Sequence, residues 1–332
     1  MTRSPLLSRP GAVAAEGPDE GVAAHYGDPF REQRTLSETV GLVDRSHRGV
    51  LAVPGPDRLS WLHSLTTQHL ERLPAWRGTE ALVLSPHGHV EHHLLVADDG
   101  DTTWLDVEPG TAGELLAFLE KMRFLLRVEP ADVTADWAVL SVVGPETPAV
   151  LDALGATPSG PYDVAALPGG GWVRRMPWPG IDNADLLIPR ASIDTVADAA
   201  PLAGIQAYEA LRVAARRPRL GAETDHRTIV QEPEWVATAV HLEKGCYRGQ
   251  ETVARVHNLG RPPRRLVLLH LDGATDQLPP HGEPITLDDR QVGFVGTAVR
   301  HYELGMIATA LVKRNVPENA DLRIGETRVA LD

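Results

Sequence analysis

An α+β fold, built from antiparallel hairpins with interposed helices and ending in a small all-β domain, is what this sequence predicts. Three observations carry that expectation. Apolar runs punctuated by short Gly, Pro and Asp turns recur between residues 48 and 143 without regular strand–helix–strand alternation. Stretches with apolar residues three and four apart, at 111–126 and 205–217, interrupt them as helices. Beyond Gly260-Arg261-Pro262-Pro263 the helical spacing ceases, and runs at 265–271, 291–299, 306–313 and 322–330 read as strands of a barrel or sandwich.

Taken in order, residues 1–21 are rich in Pro, Gly, Ala and acids, with no continuous apolar run. They read as a disordered extension, neither a signal peptide nor a membrane span. Residues 48–53 form a strand, and Gly55-Pro56-Asp57 opens a helix whose stripe runs through Leu59, Leu62, Leu65, Leu70 and Leu73. Runs at 80–85 and 90–97 are joined by Pro86-His87-Gly88-His89, a hairpin signal, and Asp98-Asp99-Gly100-Asp101 turns into a strand at 102–107. The helix at 111–126 carries Leu115, Leu119, Met122 and Leu126 on one face. Strand character resumes at 137–143, Gly144-Pro145 leads into a short helix, and strands follow at 171–175 and 185–188. The expected domains are a first α+β domain over 22–143, a second over 144–260 and a barrel over 261–332.

With 332 residues, 42% hydrophobic and 23% charged, the chain has the composition of a soluble globular protein with room for several cores. A net charge of −13 argues against general affinity for nucleic acid or anionic membranes. A single cysteine excludes an intrachain disulfide and a CxxC metal site, and a cytoplasmic location is expected.

That cysteine lies in the densest cluster of special residues, Lys244-Gly245-Cys246-Tyr247-Arg248-Gly249-Gln250-Glu251. Gly245 and Gly249 read as a shaped loop, and Val253, Val256 and Leu259 as one face of a helix that follows. Cys246 would then precede a helix N-terminus between Lys244 and Arg248, where positive charge and the helix dipole favour the thiolate. The bland alternative is a small buried hydrophobe. Gln250 and Glu251 are suited to capping the helix start.

The run from Lys244 to Glu251 resembles the K-G-C-Y-x-G-Q-E motif of the YgfZ family, folate-binding relatives of the aminomethyltransferase (T-protein) of the glycine cleavage system. Gly41-Leu42-Val43-Asp44-Arg45-Ser46 is similar to that family's opening phrase, and 207–212 with 220–225 to its R-x-x-x-G-x-P-x-x-G-x-E stretch, with Arg216 where glycine is more usual. Val292-Gly293-Phe294-Val295-Gly296-Thr297 is similar to a strand of its C-terminal barrel. The resemblance implies a T-protein-like three-domain ring, two intertwined antiparallel α+β domains plus a small C-terminal β-barrel. It implies tetrahydrofolate, or a one-carbon derivative of it, as ligand, and transient iron–sulfur client proteins or assembly factors as partners.

On that resemblance Arg212, in a phrase that contacts folate in T-proteins, and Asp185, near a folate-binding glutamate, are candidate ligand residues, joined by Lys244 and Tyr247 beside Cys246. Arg212, Arg216, Arg217 and Arg219 also form a basic patch, whose plainer reading is a solvated helix face paired with nearby acids. The sharpest departure is Gly88-His89-Val90-Glu91-His92-His93-Leu94. T-proteins carry two aspartates where His92 and His93 stand, and a neutral imidazole lacks the fixed negative charge that stabilises an iminium. Glycine-cleavage aminomethyl transfer is therefore not expected, with Glu91 the only nearby substitute. His87, His89, His92 and His93 invite a zinc reading, but solvated hairpin histidines are the commoner outcome and no metal is expected. The two functions to weigh are an accessory factor for iron–sulfur protein assembly or repair, with Cys246 essential, and a folate-dependent one-carbon transferase.

Overall fold

The structure, a computed structural model, describes residues 3–178, 180–272 and 277–332. The chain forms two compact units, one of residues 1–82 with 92–208 and one of 83–91 with 209–332. Of the segment 144–260 expected as one domain, 144–208 falls in the first of these units and 209–260 in the second.

The first unit is built on two sheets. A six-stranded sheet runs in the order Val164–Ala166, Trp172–Met176, Asn183–Pro189, Trp137–Val143, Gly41–Asp44 and Leu202–Ala203. Its last pairing is parallel and the others antiparallel. A five-stranded sheet runs Arg77–Leu84, Val90–Asp98, Thr102–Val107, Gly49–Pro54 and Ala131–Asp132. The period of two along strand Trp137–Val143 explains how the layers form. Ala138, Leu140 and Val142 face one apolar cluster with Leu6, Leu151 and Ile193. Val139, on the other face, meets Trp172, Leu187 and Val164 of its own sheet and Val50 and Ala97 of the second sheet. The inter-sheet interior is thus apolar at this end.

The expectation of disorder over 1–21 is corrected here, its first two residues lying outside the described ones. Pro5–Ser8 is a 3-10 turn whose start is capped by Ser4, Leu6 is fully buried in the first apolar cluster, and the Ser4 hydroxyl donates to the Asp44 carboxylate. Val13–Ala14 pairs with Ala23–His25. One well-placed leucine anchors a segment that composition alone marks as disordered.

Three helices are shorter than their apolar spacing suggests, among them the one expected at 205–217, which ends at Ala214. The helix Arg58–Leu65 stops before Leu70, and Ala112–Arg123 ends where Phe124 takes φ +50°. Leu115 and Leu119 are buried, whereas Met122 and Leu126 are exposed.

The second unit carries a closed barrel in the order Arg264–Leu271, Gly305–Lys313, Arg290–His301, Pro284–Leu287, Leu322–Ile324 and Thr327–Leu331. The run expected as one strand at 322–330 is broken at Gly325, which takes φ +58°. The helix Ile205–Ala214 enters this unit at Glu209, and Val213 packs on Leu268 and Ile307 of the barrel. No helix among the described residues is long and apolar enough to cross a membrane.

Candidate functional site

In the second unit the cysteine motif is a loop entering the helix Gln250–Leu259. Cys246 is exposed, while Lys244 and Tyr247 on either side of it are buried. The Lys244 ammonium lies 5.0 Å from the centre of the Tyr247 ring, a cation–π contact. Burial pushes the Lys244 ammonium down to about 8 and the Tyr247 phenol up to about 12.

The loop is held at several further points. Gly249 takes φ +81°, and a Cβ there would stand 2.7 Å from the Ser85 carbonyl oxygen and 2.9 Å from Gly88 Cα, so only glycine fits. Arg248 pairs with Glu91 at 3.2 Å, and the Thr252 hydroxyl donates to the His87 carbonyl at 2.9 Å. The hairpin turn 85–89 is therefore the backing plate of the loop. Gly245 needs no such licence, because its φ is ordinary and a Cβ there would meet open space. Gln250 does not cap the helix either; the cap position is Gly249, without a side-chain bond, and the Gln250 amide donates back to the Lys244 carbonyl at 3.5 Å. Glu251 lies in the first helical turn, where the dipole favours its charge. The Leu259 side chain lies outside the described residues.

Arg212, expected at a ligand, is instead spent inside the second unit. Its Nε donates to Glu209 at 3.0 Å, Nη1 to Glu223 at 3.1 Å and to the Arg217 carbonyl, and Nη2 to Glu223 at 3.2 Å and Thr297 at 2.7 Å. All five guanidinium hydrogens have protein acceptors, which leaves none for a ligand carboxylate. Glu223 also accepts from Thr309 at 2.6 Å, joining the helix to the barrel. Burial opposes its ionisation, but Arg212, Thr297 and Thr309 together hold its carboxyl below the usual range. In the basic patch Arg219 pairs with Glu209 at 3.2 Å and Arg216 is exposed, in keeping with the plainer reading. Arg216 takes φ +52°, which explains why glycine suits that position in the resembling family.

Asp185 lies in the inter-sheet interior of the first unit, 1% exposed. One oxygen accepts from Arg45 at 3.0 Å and Ser141 at 2.6 Å, the other from Arg174 at 3.2 Å. Arg174 also donates to Asp106 at 2.8 Å, and Arg48 bridges Asp106 at 3.2 Å and Glu108 at 2.8 Å. Burial raises the cost of ionising Asp185, yet Arg45 and Arg174 outweigh it and hold the carboxyl below its ordinary range. The carboxylate expected to grip a pterin ring is therefore engaged by arginines. Beside it, polar capacity is unspent. Asn183, 1% exposed and two residues along the same strand face, has neither its amide oxygen nor its amide nitrogen bonded, and Arg174 Nη1 has no partner. These residues were missed from sequence. A signal was present for Arg174, a charged residue inside the run 171–175 that reads as a strand, but not for Asn183, which stands before the run expected at 185–188.

His92 and His93 diverge. His93 Nε2 meets Glu80 at 3.0 Å, and Glu80 also accepts from Tyr162 at 2.6 Å. His92 is buried, its Nδ1 has no partner, and burial pushes its pKa down, so it is a neutral imidazole at pH 7. Glu91, the nearby carboxylate, is paired with Arg248 at 3.2 Å.

Comparison with known proteins places this architecture. Residues 25–165 match the GCVT N-terminal domain, and residues 264–330 match the glycine cleavage T-protein C-terminal barrel domain. The chain carries the domains of the glycine cleavage T-protein family. It is 27% identical to the aminomethyltransferase of Geobacillus kaustophilus, with 95% of this chain and 92% of that one covered. It is 25% identical to a putative chloroplastic transferase of Arabidopsis thaliana, over 83% of this chain and 65% of that protein. The crystal structure of the glycine cleavage system aminomethyltransferase T from Bartonella henselae superposes with a TM-score of 0.83 over 98% of this chain and 93% of that one, at 19% identity. The T-protein fold, with mixed α+β domains and a closed six-stranded barrel, is thus shared throughout.

Proposed function

We propose that this T-protein relative binds tetrahydrofolate and serves as an accessory factor in assembly or repair of iron–sulfur proteins, with Cys246 as its reactive group. The observation that carries this reading is the presentation of the thiol. Cys246 is exposed between buried Lys244 and Tyr247, on a loop locked by Gly249 and by the Arg248–Glu91 pair. A pinned, solvent-facing thiol suits transient chemistry on a macromolecular partner better than turnover in an enclosed pocket. Acidic balance across the chain disfavours nucleic acid as that partner.

The folate half of the proposal fits the donor set of the first unit. A pterin offers a planar edge of N–H and acceptor groups, and the unbonded Asn183 amide with Arg174 Nη1 supplies complementary donors and an acceptor. Asn183 and Arg174 would hold the ring, with Asp185 orienting Arg174. Folate, when bound, supplies a one-carbon carrier or a redox-active pterin.

Calorimetric titration of tetrahydrofolate tests the ligand. Binding by wild type, weakened at least about tenfold in Asn183→Leu through loss of two buried hydrogen-bonding groups, and retained in Cys246→Ala, is expected. Absence of binding by wild type would sink the folate reading. The partner role is tested separately, in a strain lacking this chain. Iron–sulfur enzyme activities should be restored by wild type and not by Cys246→Ala.

A second reading, a folate-dependent one-carbon transferase on another amine, is favoured by relatives whose names are aminomethyltransferase and transferase. Against its glycine-cleavage form stands His92, neutral where a fixed carboxylate is needed. Folate-dependent release of a one-carbon unit from any donor by the purified chain would favour this second reading.

A further inference from the structure

Outside the two regions described above, one group of side chains converges in the way a metal ion requires. His63, His69 and Glu71 place one donor atom each within 4.8 Å of one another, and this is the one such group of His, Cys, Asp or Glu found among the described residues. The histidines that looked metal-like in sequence do not achieve this. His87 and His89 stand with ring centres 6.3 Å apart, and His93 is taken up by Glu80.

The local chain holds the three residues in place. His63 sits in the last turn of the helix Arg58–Leu65. The segment then turns back over buried anchors. Thr66 donates to the Leu62 carbonyl at 2.8 Å, Thr67 accepts from the Leu82 amide at 2.9 Å, and Leu70 is fully buried. His69 and Glu71 flank Leu70, so packing of that leucine fixes where both side chains start. The two imidazole rings meet edge to face with centres 4.7 Å apart, and the Glu71 amide points to His63 Nδ1 at 3.5 Å. Both rings are half-buried and Glu71 is exposed, which gives an ion a way in.

We infer that His63, His69 and Glu71 form a binding site for a divalent transition cation of the zinc type. The donor set decides the class. Two imidazole nitrogens and one carboxylate oxygen suit Zn²⁺, Co²⁺, Ni²⁺ or Cu²⁺, whereas Mg²⁺ and Ca²⁺ require all-oxygen shells. Three protein ligands leave a position for water. Ion–ligand distances of about 2.0–2.2 Å set the ligand atoms roughly 3.4 Å apart, so closure needs a shift of order 1 Å, which the exposed Glu71 can supply. A bound ion would tie the C-terminal turn of the helix to the segment after it.

The test uses the untagged full-length chain, freed of metal, with Zn²⁺ followed by calorimetry and Co²⁺ by its visible absorption. One ion per chain is expected, with the strong visible bands of low-coordinate Co²⁺. His63→Ala and His69→Ala should weaken Zn²⁺ binding by more than the roughly 10–100-fold typical of losing an outer-shell partner. Glu71→Gln should weaken it less, and His257→Ala, a change at an exposed histidine elsewhere, not at all. Should either alanine variant fail to fold, Glu71→Gln decides, since its side chain is exposed and carries no packing. No Zn²⁺ binding at micromolar concentration, equal binding by His69→Ala and wild type, or a loss in His257→Ala matching that in His69→Ala would each overturn the site.

Discussion

The arginine at the centre of each unit meets a different fate. Arg212 and Arg174 are both buried between carboxylates, and sequence patterning gives no reason to treat them differently. Around Arg212 every guanidinium hydrogen is matched, and Glu223 is matched in turn by Thr297 and Thr309. Around Arg174 one nitrogen is unmatched, and so is the whole amide of neighbouring Asn183. A closed network is a fastener; a network with buried unmatched groups is a cost that a polar ligand relieves. The comparison moves the expected folate contact from Arg212 to the Arg174–Asn183 neighbourhood.

The largest effect that can break this comparison is at Arg212. Arg212→Ala leaves Glu223 buried without its cation and Glu209 with Arg219 alone, and urea unfolding should register a loss of about 3–5 kcal/mol. Arg212→Lys should also destabilise, because an ammonium cannot reproduce the fork, while leaving tetrahydrofolate affinity unchanged. An Arg212→Lys variant as stable as wild type but blind to folate would restore the original sequence expectation.

Next in size is Gly249→Ala, which forces a Cβ into left-handed backbone against Ser85 and Gly88. A loss of about 2 kcal/mol is expected, together with changed reactivity of Cys246 toward a thiol reagent. Gly245→Ala, with open space at its Cβ, should leave both readouts near wild type.

Asn183→Leu has the opposite sign. Replacing an unbonded buried amide by an apolar side chain of similar size should raise stability by about 1 kcal/mol in the absence of ligand, while weakening folate binding. A drop in both would mean that the amide is already satisfied in the free protein.

The smallest effect is electrostatic and concerns the motif loop. The Lys244 pKa is depressed in the folded chain to about 8, so between that value and its ordinary value of 10.5 the unfolded chain holds the extra proton. Stability contributed by this group therefore rises as pH increases across that window, and the penalty of burying the charge is fully present below it. Lys244→Met should remove that rise and be slightly more stable than wild type at pH 7.5, as thermal melts at pH 7.5 and 10 would reveal.

Much of the fold was legible in sequence because period and punctuation agreed. Asp98-Asp99-Gly100-Asp101 led into the strand Thr102–Val107, and the strand Trp137–Val143 showed its two apolar faces directly. The short strand Pro284–Leu287 was not legible, since four residues opening on proline carry no clear alternation. The ordered N-terminus was missed because its anchor is tertiary, a single leucine and a serine–aspartate bond. The cysteine loop stood out through its rare residues, and Gly249 has the role that glycine suggested. The roles of Asp185 and Arg212 were not legible, because nothing local says whether a buried charge faces a ligand or another side chain. His63, His69 and Glu71 read simply as a helix end and a loop until folding brings them together.

The hairpin turn that backs the cysteine loop belongs to residues 83–91, yet its packing partners are made only after residue 208. On the ribosome, this turn must emerge early and wait while the chain between is synthesised. The second unit consequently has no contiguous gene segment: a fragment beginning at residue 209 would lack the surface against which Gly249 and Thr252 settle. Adding a peptide spanning the turn should lower the barrier to assembling that fragment, so the chain carries in its own order a built-in delay between making the loop and arming it.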